Sequence, residues 1–383
     1  MLTCQNSLFQ LDPDVTYLNN AYRGPILKSS EEAAIEDLKK MRNPFSQNPE
    51  DFFTTVNSVK ALFSQMVGSS ADDIALIPST SYGFACALSN WNNARGKNAI
   101  TVRDEFPSGY FSLKRWAEEN DSQLVIIDPD PEANNPGKSW NERLLEAINE
   151  ETGVVLISSV HWMNGVKFDL KAIGERCQEV GACFVVDGTQ SVGAMPIDVK
   201  EFKIDALICA SYKWLLGPYS LAISYFSDKF KDGKPLEESW MNRTNSHIFS
   251  ELTNYQEEFL PGANRFNVGE TSYFVLLPML EKALEQLSEW TAYGIQEYAG
   301  SLKKELIDFQ QVRGLDLEFG PFSANHLFAL PLPEGINPKE IKANLDAQKV
   351  FVSVRGQSLR VSINVFNDKS DIDRLKEVLY SVD

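Results

Sequence analysis

Several things are scarce in this sequence, and each absence removes a class of function. Histidine occurs only at positions 161, 247 and 326, scattered without the spacing of a zinc site, so no metal is expected. Cysteine occurs five times, at 4, 86, 177, 183 and 209, an odd number with no C-x-x-C pair. Cys86, Cys183 and Cys209 sit in apolar surroundings, which fits buried reduced thiols better than disulfides or metal ligands. Basic residues are few: 36 Lys and Arg against 53 Asp and Glu give a net charge of −17. Nucleic acid and an anionic membrane surface both need a basic face and are not expected as partners. No apolar run approaches the length of a membrane span, and no basic segment followed by an apolar core opens the chain. A cytoplasmic protein without a signal peptide is expected. Solenoid-period repeats and low-complexity tracts are absent as well.

What remains is an ordinary globular composition, 43% hydrophobic and 23% charged, in 383 residues, enough for two domains. Between residues 70 and 226, short apolar runs alternate with helical patterns. The runs are Ile74–Ile77, Ala99–Arg103, Leu124–Ile127, Val154–Val160, Cys183–Val186 and Ala206–Ala210. Such alternation predicts a mostly parallel sheet with helices on both faces. Helices are predicted over Ser29–Lys40 with a capping serine pair, Phe52–Val67, Phe84–Trp91, Phe111–Asn120, Trp140–Asn149 and from Asp169 to Val180. Residues 130–139 and 228–260 read as loops, and 274–290 as a long linking helix. From 299 onward the pattern becomes α+β. Helices are expected at 299–311, 338–348 and from Ser370, with strands at His326–Leu330, Val350–Val354 and Leu359–Val365.

The stretch Ala182–Phe226 organises the chain. Two buried-strand runs end in Asp187 and, after Ser211 and Tyr212, in Lys213, which precedes a Gly217-Pro218 turn. Chemistry in α/β sheets sits at the carboxyl ends of strands. A charge that merely terminates a strand is one reading of each residue. The other is that both face pyridoxal phosphate, which needs a lysine, a carboxylate for its ring nitrogen and donors for its phosphate.

Asp187-Gly188-Thr189-Gln190-Ser191 followed by Ser211-Tyr212-Lys213 and Gly217-Pro218 resembles the class V aminotransferase group of fold-type I pyridoxal-phosphate enzymes, which includes cysteine desulfurases, kynureninases and isopenicillin N epimerase. The resemblance implies an α/β fold: a large domain with a seven-stranded, mostly parallel sheet and a smaller α+β C-terminal domain. It implies an entry arm over 1–30, a cofactor domain over 31–260 and the linking helix with the small domain over 261–383. It also implies a homodimer with the active site near the subunit interface. Lys213 would hold the cofactor and act as base, with Asp187 on the ring nitrogen and Gln190 near the phenolic oxygen. Thr80, Ser81, Ser211 and Tyr212 would hold the phosphate. Strand, small-residue turn and helix N-terminus at Pro78–Gly83 are suited to an anion, though a plain serine cap reads the same way. Phe106, after Glu105, matches the ring-stacking aromatic; a core phenylalanine is the other reading. Trp162 would line the pocket, while the neighbouring His161 reads as a satisfied strand-end histidine. Asn264 to Ser272 resembles the segment that reaches the partner's phosphate, with Thr271 one place late. Arg360 matches the arginine that clamps a substrate carboxylate. Tyr22 and Arg23 fit either substrate contacts or a polar loop clamping the arm.

For the reaction, transamination of an amino acid comes first. A lyase or kynureninase-like hydrolase is second, and epimerisation third. A cofactor-binding regulatory or scaffold protein is the reading from another class. Desulfurase chemistry is disfavoured: Phe106 stands where desulfurases have His, Trp162 where they have Asn, and only Gly356-Gln357-Ser358-Leu359 separates Arg355 from Arg360, with no nucleophilic cysteine.

Overall fold

A computed structural model describes residues 2–92, 96–130, 132–315 and 317–380. Near the N-terminus, β1 (Thr16–Tyr17) precedes two helices, α1 (Lys28–Met41) and α2 (Asp51–Val67). The alternating region then runs β2 (Ile74–Ile77), α3 (Thr80–Ser89), β3 (Asn98–Val102), α4 (Pro107–Glu119), β4 (Gln123–Ile127), α5 (Pro136–Ala147), β5 (Thr152–Ser158), α6 (Leu170–Val180), β6 (Cys183–Asp187), β7 (Ala206–Ala210) and β8 (Ala222–Phe226).

These strands form one seven-stranded sheet in the order β2-β8-β7-β6-β5-β3-β4. Every neighbouring pair is parallel except those involving β8. The exception has a local cause. β8 follows β7 through residues 211–221, too short a connection for a crossover helix, so the chain must turn back beside itself. The sheet is covered on both faces. Val154 and Leu156 of β5 join one apolar cluster with Phe84 and Leu113, from α3 and α4. Val155 and Ile157 join the other with Leu144 and Ile173, from α5 and α6. That is the period-2 alternation of a strand buried on both sides.

Beyond the sheet, α7 (Leu276–Trp290) and α8 (Ala292–Val312) lead to β9 (Leu327–Pro331), α9 (Pro338–Ala347), β10 (Val350–Phe351), β11 (Ser353–Arg355), β12 (Ser358–Ser362) and α10 (Lys369–Tyr380). A three-stranded antiparallel sheet has the order β11-β12-β9. β1 pairs in parallel with β10, so the N-terminal segment is built into this C-terminal layer.

Several boundaries differ from the sequence expectation. α1 starts at Lys28 without a side-chain cap, and the serine expected to cap it, Ser30, is buried and donates to the carbonyl of Met279 at 2.8 Å. Tertiary packing has claimed the hydroxyl. α3 begins at Thr80 rather than Phe84, because Ser79 caps it, accepting from the N–H of Tyr82. α5 takes in Pro136–Ser139 of the expected loop, since Asn135 caps it and Pro136 suits a first helical turn; Pro131 of that loop lies outside the described residues. β8 was not among the expected strands. The expected strand Val350–Val354 is divided between two sheets, and α8 begins seven residues earlier than expected, at Ala292.

Candidate active site

The parallel strands all deliver their carboxyl ends to one side, and a cavity of about 350 Å³ opens there. Asp187 ends β6 and is 4% exposed. Its Oδ1 accepts from the N–H of Thr189 at 2.9 Å. Burial pushes its carboxyl above the ordinary range, with the Thr189 donors and the amine of Lys213 pulling the other way. Lys213 follows β7 and is 7% exposed. Burial lowers its amine from 10.5 to about 8, against the attraction of Asp187. For both groups, desolvation outweighs their mutual attraction. The Lys213 amine lies 5.6 Å from the Phe106 ring centroid and 5.7 Å from that of Tyr212, and no ion pair claims it among the described residues.

Ser79, Thr80 and Ser81, at the start of α3, line the same cavity. The first N–H groups of a helix have no internal acceptor, and the helix dipole favours an anion there. Gly83 lets this helix approach the sheet: a Cβ would lie 2.7 Å from Ile77 and 2.8 Å from Ile208. Ser81 donates to Ser108 of α4 at 3.2 Å, joining the two helix starts. Tyr212 and Tyr219, with ring centroids 4.6 Å apart, complete this wall.

Phe106 and Trp162 form the remaining side, edge to face at 5.6 Å. Trp162 is held by its indole N–H, which donates to the carbonyl of Asp104 at 2.7 Å. Glu105, 5% exposed, braces Phe106 from beneath. It accepts from the N–H of Phe106 and from both the N–H and hydroxyl of Ser158 at the end of β5. Burial, with the charge of Asp187, pushes its carboxyl up to about 7 despite those donors. Phe106 belongs to a local sequence motif, but the clamp joins residues 53 positions apart and has no local signature.

Gln190 lines the cavity and is held in one orientation. The Trp214 indole donates to its Oε1 at 2.8 Å, and its Nε2 donates to Ala21 at 3.2 Å. Because an indole only donates, the side-chain oxygen must face Trp214. His326 secures the same residue from the C-terminal layer: its Nε2 donates to the Gln190 carbonyl at 2.7 Å, and its Nδ1 accepts from Gln296 at 2.6 Å. Burial lowers His326 to about 4, so the ring is neutral.

Not every expected site residue reaches the cavity. Ser211 is fully buried and its hydroxyl faces the carbonyls of Pro218 and Leu221, so it holds the turn beyond Lys213 instead of facing an anion. Thr271 is 1% exposed and donates to the carbonyl of Val268. Tyr22 is 63% exposed and Arg23 exposed, beside the site rather than in its lining; the N–H of the next residue, Gly24, donates to the carbonyl of Tyr212. Arg360, 1% exposed, lies behind Trp162 and donates to its carbonyl at 2.9 Å. His161 is buried, with Nε2 donating to the carbonyls of Arg103 and Asp104 at 3.1 and 3.2 Å and Nδ1 beside Asn164 at 2.9 Å. Both ring nitrogens face protein atoms, and His161 does not line the cavity.

The family described as Aminotransferase class-V matches residues 39–375. The chain belongs to the class V aminotransferase family. An uncharacterized aminotransferase of Bacillus subtilis (strain 168), YcbU, is 24% identical over 311 residues, covering 81% of this chain and 79% of that protein. A probable cysteine desulfurase of Pyrococcus abyssi (strain GE5 / Orsay) is 24% identical over 341 residues, covering 84% and 81%. Among solved structures, a lysine-to-alanine mutant of C-DES, with glycine covalently linked to its PLP cofactor, has a TM-score of 0.88 at 16% identity over 100% of both chains. The fold is thus that of fold-type I enzymes, and pyridoxal phosphate is the cofactor. The site fits it: a buried amine with no ion-pair partner, a buried carboxylate across the cavity, and a hydroxyl-rich helix start for the phosphate. Among the described residues, no helix is long and apolar enough to cross a membrane, and no cluster of side chains could hold a metal ion.

Proposed function

We propose that the protein transfers the amino group of an amino acid, as a class V aminotransferase. The observation that carries this reading is the amine of Lys213, buried without an ion-pair partner between Phe106 and Tyr212, with the equally unpaired guanidinium of Arg360 behind Trp162. Bound pyridoxal phosphate supplies an electron sink that lets a proton leave the carbon beside a substrate amine. Lys213 would hold the cofactor and, once released from it, take that proton and return it elsewhere. An amine near 8 can both accept and donate a proton around neutral pH. Asp187 would hold the ring nitrogen, Thr80, Ser81 and the α3 N–H groups the phosphate, and Phe106 one ring face. The Nε2 of Gln190, aimed by Trp214, is a donor for the phenolic oxygen. Arg360, held behind Trp162 in the free chain, would turn toward the cavity to take the α-carboxylate, fixing which bond of the substrate stands across the ring. The segment 264–272 would face the cofactor of a partner subunit in a homodimer, but the Thr271 hydroxyl, buried and bonded to Val268, is not its donor.

The cysteines argue for transfer over desulfuration. Cys86, Cys177, Cys183 and Cys209 are buried, and burial raises each thiol. The exposed Cys4 lies against Phe366, and the hairpin between Arg355 and Arg360 carries none. Among the described residues no cysteine lines the cavity, so no thiol is placed there to take sulfur from a substrate.

The test is a visible spectrum of the cofactor-loaded protein after single additions of each amino acid, with product analysis. One amino acid should convert the cofactor to its amine form and release the matching keto acid, and Lys213→Ala should abolish this. Release of pyruvate, alanine or sulfide without a keto-acid acceptor would instead establish a lyase or hydrolase. Loss of optical activity without any product would establish an epimerase. No response to any amino acid would overturn the reading.

A further inference from the structure

The hairpin of β11 and β12 presents two arginines on one face. Ser353 is opposite Arg360 and Arg355 is opposite Ser358. Opposed residues share a face, and alternate residues along a strand return to it, so Arg355 and Arg360 are diagonal neighbours. Neither guanidinium has an acid. The arginine ion pairs among the described residues include those of Arg103, Arg176 and Arg243, and none involves Arg355 or Arg360. Arg360 donates to the Trp162 carbonyl and weakly to Ser353 at 3.4 Å, while its Nε is buried without an acceptor. Arg355 donates only to the carbonyl of Val354 at 2.7 Å, and its Nε is likewise buried and unpartnered. Its guanidinium lies 5.2 Å over the Trp162 ring, whose side chain lines the cavity.

Arg360 is buried and Arg355 half-buried; a cation withdrawn from water without a counter-ion is unfavourable, and a like charge beside it makes it more so. Burial and mutual repulsion hold Arg360 down at about 9, and burial lowers Arg355 too. In a chain carrying 53 acidic residues against 36 basic ones, such a pair is not for want of acids. The missing charge belongs to a ligand. One carboxylate compensates one guanidinium, which leaves Arg355 unmatched by a monocarboxylic amino acid. We propose that the substrate is an amino dicarboxylic acid, with its α-carboxylate on Arg360 and its side-chain carboxylate on Arg355, the two held on either side of Trp162. This rests on the amino-acid reading above and adds the substrate class.

The test uses unreactive acids lacking the amino group, so that binding is read without turnover. Succinate and glutarate are each compared with the monoacid of equal chain length, butyrate and valerate, by titration calorimetry on the cofactor-loaded protein. At least one diacid should bind ten-fold or more tightly than its monoacid, and in Arg355→Gln that ratio should fall to three or less. A ratio near one in the parent protein would overturn the proposal whatever the variants do. So would an Arg355→Gln variant that weakens diacid and monoacid by the same factor, which would make the two arginines a joint clamp on one carboxylate. Arg360→Gln separates this failure from that of the underlying reading. Monoacid binding that needs Arg360 but shows no diacid preference sinks only the dicarboxylic substrate. Acid binding indifferent to Arg360, or no acid binding at all, sinks the amino-acid site with it.

Discussion

Lys213 owes its proposed role to its surroundings more than to its identity. In water its amine would hold its proton to about 10.5; burial lowers this to about 8, and Asp187 recovers only part of the difference. A neutral amine is what reacts with an aldehyde. The rate at which pyridoxal phosphate joins the cofactor-free protein should therefore climb about ten-fold per pH unit below 8 and level off above it. The growth of the visible cofactor band, followed between pH 6 and 10.5, checks this. A plateau reached only near 10.5 would show an amine that behaves as if solvated. The stability consequence has the same sign. Between about 8 and 10.5 the unfolded chain holds a proton on this residue that the folded, cofactor-free protein does not, so Lys213 contributes stability that increases with pH through that window. At this scale the sequence revealed residue types well: Asp187, Lys213, Phe106, Trp162, Thr80 and Ser81 all line one cavity. It did not reveal which polar atoms are already engaged. Ser211 looked like a phosphate donor by motif, yet its hydroxyl is turned to two carbonyls of its own loop.

Among elements, the segment after β1 packs directly against the backbone of Lys213. Gly24 passes so close to Lys213 that a Cβ would stand 2.3 Å from the Lys213 carbonyl oxygen, and Asn20 donates to that same oxygen at 3.4 Å. Gly24→Ala should push the Lys213 backbone out of place. Overpacking of this kind costs about 1–3 kcal/mol. Part of that cost should appear as weaker cofactor retention, measured by dialysis against buffer, with the fold intact by circular dichroism. Retention equal to the parent's would mean that the two segments separate freely. Element existence and type were mostly legible in the sequence, because buried strands and amphipathic helices carry their own periodicity. Element ends were less so. α3 starts four residues before its apolar pattern does, since a cap and a first turn need only polar residues there. β8 was hidden because one more apolar run after a Gly-Pro turn carries no mark of direction.

Across the whole molecule, chain ends distant in sequence brace the two sheets. Phe9 is 3% exposed and meets Trp290 at the end of α7 and Phe366 beyond β12, with ring centroids 6.3 and 5.2 Å away. Truncating such a residue costs about 3–5 kcal/mol. Phe9→Ala should therefore lower the unfolding free energy by that amount in a urea titration, and a change below about 1 kcal/mol would show that the N-terminal segment contributes little to the fold. His326 spans the same divide closer to the site, tying the start of β9 to Gln190 beside the cavity.

The sequence by itself determined the architecture, the family and the residue types that line the cavity, because these depend on local periodicity and on short motifs at strand ends. Only the tertiary structure decided which groups are free to act. That Glu105 is a brace, that His161 is engaged, that Trp214 orients Gln190 and that Arg355 joins Arg360 without an acid all depend on atoms brought together from separate parts of the chain. Burial sets their charge, and burial belongs to the packed molecule and not to any segment of it.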